Sequence, residues 1–304
     1  MGRGVPDAKS ADGAADLVVE SKRGRSLARP PLRTTLSAAM NRRSFIAGLG
    51  LASVAGGCLT PRNSGSLRVL TYNTHHGEGV DGKLDLGRIA ALVVDSGADV
   101  VAVQEVDVGT GRTGRVDQSA EYRRLTGLEG RFGKAIDFQG GAYGQMLLSR
   151  WPIADFAVHR LPNPRGREQR IAVSARIRPP GRPAFRFVGV HLDATRDDSD
   201  RWLQVESLLS AFGSLEEPVV LAGDFNDTPE SRVMRRALGR WSDASAGSPA
   251  PTVPVEKPVS RIDYVLFTPV PGWSVRSSRV LPEAVASDHR ALRVEFGFGS
   301  ASGA

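Results

Sequence analysis

Carboxylate, amide and imidazole side chains stand directly after short apolar segments at several places along the chain. They are Asn73, Glu105, His191, Asp224 with Asn226, Asp263, and Asp288 with His289. A single Asp or Asn after a strand is usually a turn residue, and a single histidine there is usually structural. Folding alone does not require such groups after almost every core strand, and α/β proteins bind their ligands at strand ends. The set therefore predicts one functional site where these strand ends meet.

The segments around these side chains alternate between strand-like and helix-like patterns. Apolar and β-branched runs predict strands at 67–74, 100–103, 143–149, 153–158, 171–178, 185–192, 219–222, 262–267, 274–280 and 291–296. Helices are predicted between Asp85 and Gly97, at 117–125, at 198–215 and near 229–238. Helical crossovers combined with hairpins indicate an α/β fold of mixed sheets covered by helices.

Seven groups of residues resemble, in order, the motifs of the endonuclease/exonuclease/phosphatase family. They are Tyr72-Asn73, Gln104-Glu105-Val106, Tyr143-Gly144 with Leu148-Ser149-Arg150-Trp151-Pro152-Ile153, Gly189-Val190-His191-Leu192, Gly223-Asp224-Phe225-Asn226, Arg261-Ile262-Asp263-Tyr264 and Ser287-Asp288-His289. The resemblance extends from about residue 67 to 296. It implies a four-layer α/β sandwich, in which two mixed β-sheets pack face to face with helices on both outer faces. It also implies a metal-dependent hydrolase of phosphoric esters, from an exported bacterial branch.

Oxygen ligands for a divalent cation are present in the first two motifs. Asn73 and Glu105 carry hard oxygen atoms that suit Mg²⁺, or Mn²⁺ in its place, and Mg²⁺ is usually held by one or two carboxylates together with substrate phosphate. Such an ion would neutralise charge on the phosphate and on its leaving oxygen. The resemblance implies that Asp288 completes the metal shell.

The resemblance also implies catalytic roles for five residues. Asp224 would orient or deprotonate the attacking water, and Asn226 would fix its position and contact the phosphate. His191 would donate a hydrogen bond to a phosphate oxygen. His289 would stabilise the developing negative charge or act as a base, with Asp263 orienting its ring. A nearby carboxylate favours the charged imidazole, which is the better phosphate partner.

Further polar residues are candidates for substrate contact. Strand alternation places the side chain of His75 on the site face and turns that of His76 away. Arg112 or Arg115, in a segment that follows the predicted metal-binding glutamate, would grip phosphate in a bidentate manner, and Arg170 is a third candidate. The alternative for each arginine is a solvated surface residue.

The charge of the chain at first favours a nucleic-acid partner. The net charge is +7, from 40 Lys and Arg against 33 Asp and Glu. Residues 1–58 hold nine of the basic and four of the acidic residues, which leaves 31 against 29 for residues 59–304. The predicted catalytic part is thus nearly neutral and lacks the charge surplus expected of a dedicated nucleic-acid groove.

An export signal is predicted near residue 40. Asn41-Arg42-Arg43-Ser44-Phe45-Ile46 and the small apolar residues after it resemble a twin-arginine signal. Ala55-Gly56-Gly57-Cys58 resembles a lipobox, although Ala stands where Leu is usual three places before the cysteine. We therefore expect an exported protein that is anchored through an acylated Cys58 to the outer side of the cytoplasmic membrane. The alternative is an apolar helix with a buried thiol.

These patterns divide the chain into four parts. We expect an N-terminal extension and signal at 1–58 with the biological start at Met40, a tether at 59–66, the catalytic domain at 67–297 and a flexible tail at 298–304. Cys58 is the single cysteine of the chain, which excludes an internal disulfide and a cysteine-based zinc site. No obligate protein partner is predicted.

Three functions remain open from the sequence. The first is a cell-envelope phosphodiesterase or phosphatase that acts on a small or lipid-linked phosphate ester. The second is an exported nuclease that acts on DNA or RNA. The third is a surface binding lipoprotein without catalytic activity. The complete set of catalytic residue types argues against this third function. The segment Ser260–Tyr264 lacks the Trp-Cys-Asp-Arg-type signature of inositol polyphosphate phosphatases, which argues against that branch.

Overall fold

Two six-stranded β-sheets and four α-helices make up the part of the chain that the computed structural model describes, residues 65–298. The strands are β1 (Ser66–Asn73), β2 (Val100–Val108), β3 (Glu129–Phe138), β4 (Gly141–Ser149), β5 (Ile153–Arg160), β6 (Ile171–Ile177), β7 (Phe185–His191), β8 (Val219–Asp224), β9 (Ser242–Asp243), β10 (Asp263–Phe267), β11 (Trp273–Val280) and β12 (Leu292–Phe298). The helices are α1 (Leu86–Ser96), α2 (Gln118–Thr126), α3 (Ser199–Phe212) and α4 (Arg232–Leu238). The strand orders are β11-β12-β1-β2-β4-β3 and β5-β6-β7-β8-β10-β9.

Each sheet has one pair of parallel strands at its centre. β1 runs parallel to β2, with Asn73 opposite Gln104, and β7 runs parallel to β8, with His191 opposite Asp224. β10 is antiparallel to β8 and begins with Asp263 opposite Asp224. Parallel strands end on the same edge of a sheet. This topology therefore brings polar residues from distant parts of the sequence to one end of the molecule.

Three apolar clusters hold the layers together. The inner faces of the two sheets pack against each other through residues such as Leu147 and Phe187. Helices α1 and α2 cover the outer face of the first sheet, and α3 and α4 cover that of the second. Gly189 permits the close approach of the sheets, because a Cβ there would lie 2.9 Å from the Val173 side chain and 3.0 Å from that of Leu147. The predicted four-layer sandwich of two mixed sheets is confirmed.

Local capping signals in the sequence agree with the helix positions. Asp85 caps α1 by accepting a hydrogen bond from the backbone N–H of Arg88, and Asp117 caps α2 by accepting one from Ala120. Both helices end at a glycine in the left-handed conformation. Such side-chain caps satisfy backbone donors that have no partner within the helix.

The structure differs from the predicted elements at several places. β3 was not predicted, because its charged residues and glycines interrupt the apolar alternation, and β2 continues five residues beyond the predicted end at 103. Helix α4 begins at Arg232 instead of near 229. Ser66 and Phe298 belong to strands, so the domain exceeds the predicted 67–297 by one residue at each end.

The predicted signal, including Arg42, Arg43 and Cys58, lies outside the described residues, as do the tether up to residue 64 and the tail from residue 299. Within residues 65–298, no helix is both long and apolar enough to cross a membrane.

Candidate active site

A buried amide links the ends of the two sheets. The Asn73 Nδ2 atom donates hydrogen bonds to Glu105 Oε1, 3.0 Å away, and to Asp224 Oδ2, 3.2 Å away. The Asn73 Oδ1 atom accepts a hydrogen bond from the backbone N–H of His75 at 3.1 Å. Ser287 donates through its hydroxyl to the backbone carbonyl of Asn73, which ties the loop before β12 to the end of β1. Residues from four separate parts of the chain thus meet at one point.

Asp224 lies between two imidazole rings. Its Oδ2 atom is 3.7 Å from His191 Nε2 and 3.7 Å from His289 Nε2. The His289 Nδ1–H group donates to Asp263 Oδ2 at 3.0 Å, as expected for a carboxylate that orients the ring. The backbone N–H of Asn226 donates to Asp224 Oδ1 at 2.8 Å, which fixes the second carboxylate oxygen. His191, Asp224, Asp263 and His289 are buried together, whereas Asn226 is half-buried beside them and its side chain donates to the backbone carbonyl of Leu192 at 3.1 Å.

Burial and neighbouring charge shift the pKa values of this cluster in opposite directions. Burial, together with the nearby Asp263 carboxylate, raises the pKa of Asp224 to about 7. Burial acts to lower the pKa of His289, but Asp263 and Asp224 outweigh it and raise this pKa to about 10. Burial and the Arg170 guanidinium hold the pKa of His191 well below its usual range. These shifts favour a charged His289 and a neutral His191 beside the same carboxylate.

Glu105 reaches the cluster through a distortion of β2. Its φ is +59°, and the pairing of β2 with β4 changes register between Val103 and Val106. Such a bulge re-aims a side chain that regular alternation would direct elsewhere. The Thr74 hydroxyl lies 3.0 Å from the backbone carbonyl of Gln104 and 3.3 Å from that of Glu105, positions from which it can donate to either. Left-handed backbone at a non-glycine residue is uncommon and concentrates at functional sites.

The donor set fits a divalent cation. Two carboxylate oxygens, from Glu105 and Asp224, already converge on the Asn73 amide nitrogen, and hard oxygen donors of this kind suit Mg²⁺. A buried Asp263 oxygen, Oδ1, has no hydrogen-bond partner among the described residues. Asp288, the third predicted metal ligand, has an exposed side chain 3.3 Å from the Ser287 hydroxyl. The structure therefore brings Asn73 and Glu105 together but shows no contact of Asp288 with either.

Within residues 65–298, a second arrangement also meets the distance criterion for a metal. Ligand atoms of Asp224, Asp263 and His289 lie within 4.8 Å of one another. The His289 Nδ1–H group and the Asp263 Oδ2 atom are hydrogen-bonded to each other, as in an acid–base pair. This hydrogen bond favours acid–base chemistry for the triad.

The two histidines after β1 do not follow strand alternation. The strand ends at Asn73, and both His75 and His76 adopt left-handed φ values of about 45° in a short 3₁₀ turn. The His75 ring is hydrogen-bonded to the backbone carbonyl of Glu78 at 3.0 Å. The strand alternation from which their directions were predicted therefore does not hold; the His76 side chain is buried, and its pKa is lowered by burial and then by Arg112.

The three candidate arginines have different surroundings. Arg112 donates from Nε and Nη2 to the two oxygens of the buried Asp107, at 2.7 and 2.9 Å. Arg170 is largely buried and forms an ion pair with Glu168. Arg170 is therefore not a solvated surface residue, whereas Arg112 is exposed but held by its two hydrogen bonds to Asp107. Arg115 instead donates to the backbone carbonyls of Gly109 and Gln139, so it supports the loop.

A small cavity adjoins Glu105. Its volume is about 190 Å³, and it is lined by Glu105, Arg112, Ile136, Phe138, Tyr143, Glu168 and Arg170. The Arg112 guanidinium lies 4.8 Å from the centre of the Phe138 ring and 5.4 Å from that of Tyr143. Phe138 and Glu168 were not among the predicted site residues, since Phe138 belongs to the strand that the sequence did not reveal and Glu168 precedes β6 in a loop. No local signal distinguishes either residue.

Comparisons with known proteins identify similar sequences. Residues 70–289 match the model of the Endonuclease/Exonuclease/phosphatase family. The chain is 28% identical over 249 residues to the uncharacterized protein YbhP of Escherichia coli K12, covering 76% of this chain and 96% of YbhP.

Solved structures share the fold. An endonuclease/exonuclease/phosphatase from Beutenbergia cavernae has a TM-score of 0.64 and 24% identity, covering 78% of this chain and 72% of that one. A mannosyl-6-phosphatase of Bacteroides thetaiotaomicron has a TM-score of 0.63 and 18% identity, covering 76% of this chain and 100% of that one. The family model spans 220 of the 304 residues (289 − 70 + 1), including every strand end of the buried cluster. This chain therefore belongs to the Endonuclease/Exonuclease/phosphatase family.

Proposed function

We propose that this protein is a Mg²⁺-dependent phosphoric ester hydrolase that acts on a small phosphate ester at the cell envelope. The observation that carries the proposal is the buried cluster in which Asn73 contacts both Glu105 and Asp224 while two imidazoles face Asp224. A base, a charged hydrogen-bond donor and oxygen ligands for a cation are the parts that metal-assisted attack of water on phosphorus requires.

Each residue of the cluster has a defined task in this proposal. Asn73 and Glu105 would hold Mg²⁺, which supplies neutralisation of phosphate charge when bound. Asp224 accepts a proton from the attacking water, and the Asn226 backbone N–H keeps the carboxylate in position. The charged His289, oriented by Asp263, donates from Nε2 to the phosphate oxygen on which negative charge develops.

The cavity beside Glu105 supports a small polar alcohol as the group esterified to the phosphate. Arg112 is paired with Asp107 and Arg170 with Glu168, so the charges along the wall are balanced and a second phosphate gains little there. Guanidinium, carboxylate and phenol groups next to the Phe138 ring suit a sugar or a short polyol, which offers both donors and acceptors. The mannosyl-6-phosphatase with the same fold is compatible with this class of substrate.

A substrate panel tests the proposal. Hydrolysis of hexose phosphates, glycerol phosphates, a synthetic phosphodiester, DNA and RNA would be measured with Mg²⁺, with Mn²⁺ and with a chelator. We expect the highest kcat/KM for a sugar or polyol phosphate and no turnover with the chelator. Preferred cleavage of DNA or RNA would establish the nuclease alternative, and turnover that survives the chelator would contradict the metal assignment.

The location at the cell envelope is proposed from the sequence before the described residues. The twin-arginine pattern and the lipobox-like Ala55–Cys58 support export and acylation of Cys58. Mass analysis of the protein from the membrane fraction should find a lipid-modified Cys58 at a new N-terminus. An intact start at Met1 or Met40 in that fraction would contradict the anchor. Unchanged membrane association of Cys58→Ser would contradict it as well.

A further inference from the structure

We propose that Arg170 is a positioning residue that fixes His191 in the tautomer with its proton on Nε2, so that His191 serves the site as a neutral hydrogen-bond donor. This inference rests on the proposed hydrolytic function, because it assigns the role of one imidazole in that reaction.

The contact between the two side chains determines the direction of the hydrogen bond. The Arg170 Nη1 atom lies 3.2 Å from the His191 Nδ1 atom. A guanidinium has only donors, and its pKa keeps it charged. The Nδ1 atom must therefore accept, which leaves the ring proton of a neutral imidazole on Nε2. That atom is the one that faces Asp224 Oδ2, 3.7 Å away.

Arg170 is held in this position by a second contact. Its side chain is 11% exposed, and Nη1 also forms an ion pair with Glu168 Oε1 at 2.7 Å. A guanidinium is costly to bury unless carboxylates and other acceptors satisfy it. Arg170 directly precedes β6, which pairs with β7, the strand that ends at His191. The two side chains are thus anchored to neighbouring strands of one sheet, which gives the contact a fixed geometry.

The two imidazoles beside Asp224 are therefore set in different states by different neighbours. At His289 the group on Nδ1 is the Asp263 carboxylate, which favours the charged ring. At His191 the group on Nδ1 is a guanidinium, which disfavours it. Both rings turn Nε2 toward Asp224 Oδ2, but His289 brings positive charge and His191 does not. His191 accordingly has no free lone pair at Nε2 with which to act as a base.

A second role for Arg170, direct binding of substrate, predicts a different result on mutation. Loss of a substrate contact raises KM, whereas loss of the correct tautomer lowers kcat with little change in KM. Arg170→Met keeps the length of the side chain and removes every donor. Arg170→Lys keeps a charged donor near Nδ1. Arg176→Met is the matched control, since Arg176 lies on β6 and makes an exposed ion pair with Glu217.

The ring protonation is measured by ¹⁵N NMR of the full chain labelled at its five histidines, with His191 assigned by comparison with His191→Phe. We expect a proton on Nε2 and an unprotonated Nδ1 in the parent protein and in Arg176→Met. Arg170→Met should give a mixture of tautomers or a charged ring, and Arg170→Lys should restore the parent signal in part. A proton on Nδ1 in the parent protein, or an unchanged ring in Arg170→Met, overturns the proposal.

Kinetics on the same variants provide the second measurement. We expect kcat to fall about ten- to a hundredfold in Arg170→Met, with partial recovery in Arg170→Lys. A rise in KM with kcat unchanged would assign Arg170 to substrate binding instead. The NMR measurement requires no turnover, so a wrong tautomer and a wrong hydrolytic function give distinguishable results.

Discussion

At the scale of single residues, Glu105 combines an uncommon backbone conformation with the position expected of a metal ligand. Its carboxylate shares the Asn73 amide with Asp224, and its left-handed φ exists because β2 changes register at this point. Strain retained at one carboxylate is explained if that carboxylate is needed for function. The alternative, a structural role, predicts that the charge itself is dispensable.

Replacing Glu105 by glutamine separates these two explanations. Glu105→Gln keeps the size of the side chain and an acceptor for Asn73 but removes the negative charge. We expect Mg²⁺-dependent hydrolysis to fall by at least about 10²-fold while the fold is retained. Hydrolysis rates and circular dichroism would be compared with those of Glu121→Gln, which removes a surface charge paired with Arg124. Unchanged turnover in Glu105→Gln would refute the metal assignment.

The His289–Asp263 pair makes a second prediction at this scale. His289→Ala removes the charged donor, and Asp263→Asn removes the carboxylate that keeps the ring charged and oriented. We expect a loss of at least about 10²-fold in kcat for the first variant and a smaller loss for the second. His159→Gln is the control, because His159 bonds to Ser174 away from the cluster. A mild effect of His289→Ala would move the charge-stabilising role to another residue.

At the scale of strands, the active site depends on the contact between β7 and β8. Gly223 lies on β8 beside Asp224, and a Cβ at this position would be 1.9 Å from the backbone carbonyl oxygen of Val190 on β7. A methyl group would force the two strands apart where they carry His191 and Asp224. The glycine is thus required by the close approach of two backbones and not by a turn.

Gly223→Ala should therefore destabilise the protein and disturb the site together. We expect a decrease of at least about 2 kcal/mol in the free energy of unfolding, because the clash involves backbone and cannot be relieved by a rotamer change. Urea denaturation of Gly223→Ala would be compared with that of Gly247→Ala, where a Cβ meets no atom within 4 Å. Equal stability of the two variants would show that β7 and β8 can separate without cost.

At the scale of the described domain, acidic groups from both sheets converge at one end. Glu105 belongs to the first sheet, whereas Asp224 and Asp263 belong to the second. His289, which contacts Asp263, lies in the loop before β12. A cation at this place would bind only to the folded state, because these side chains are far apart in the unfolded chain. Binding to the folded state must then raise its stability.

Addition of Mg²⁺ should accordingly raise the melting temperature. At a free concentration one hundred times the Kd, the folded state gains about 2.7 kcal/mol. Thermal unfolding of the full chain would be followed with Mg²⁺ and with a chelator, for the parent protein and for Glu105→Gln. We expect the shift in the parent protein and a much smaller one in the variant. An equal shift in both would place the ion elsewhere.

Much of the site can be predicted from the sequence, because it depends on residue types at the ends of apolar segments. Asn73, His191, Asp224, Asp263 and His289 are recognisable in this way, and the structure brings them together. The helix caps at Asp85 and Asp117 are equally local. Periodicity and capping act over a few residues, so they leave a trace that one sequence can show.

Tertiary structure alone decided the features that depend on partners distant in sequence. The register change at Glu105 depends on the pairing of β2 with β4, and the cavity depends on residues of β3. The 3₁₀ turn at His75 interrupts the strand alternation, and no residue pattern in the sequence indicated that turn. The contact of Arg170 with His191 joins residues 21 positions apart. The sequence determined which groups are available for chemistry, whereas strand pairing and burial determined which groups meet and which protonation state each one holds.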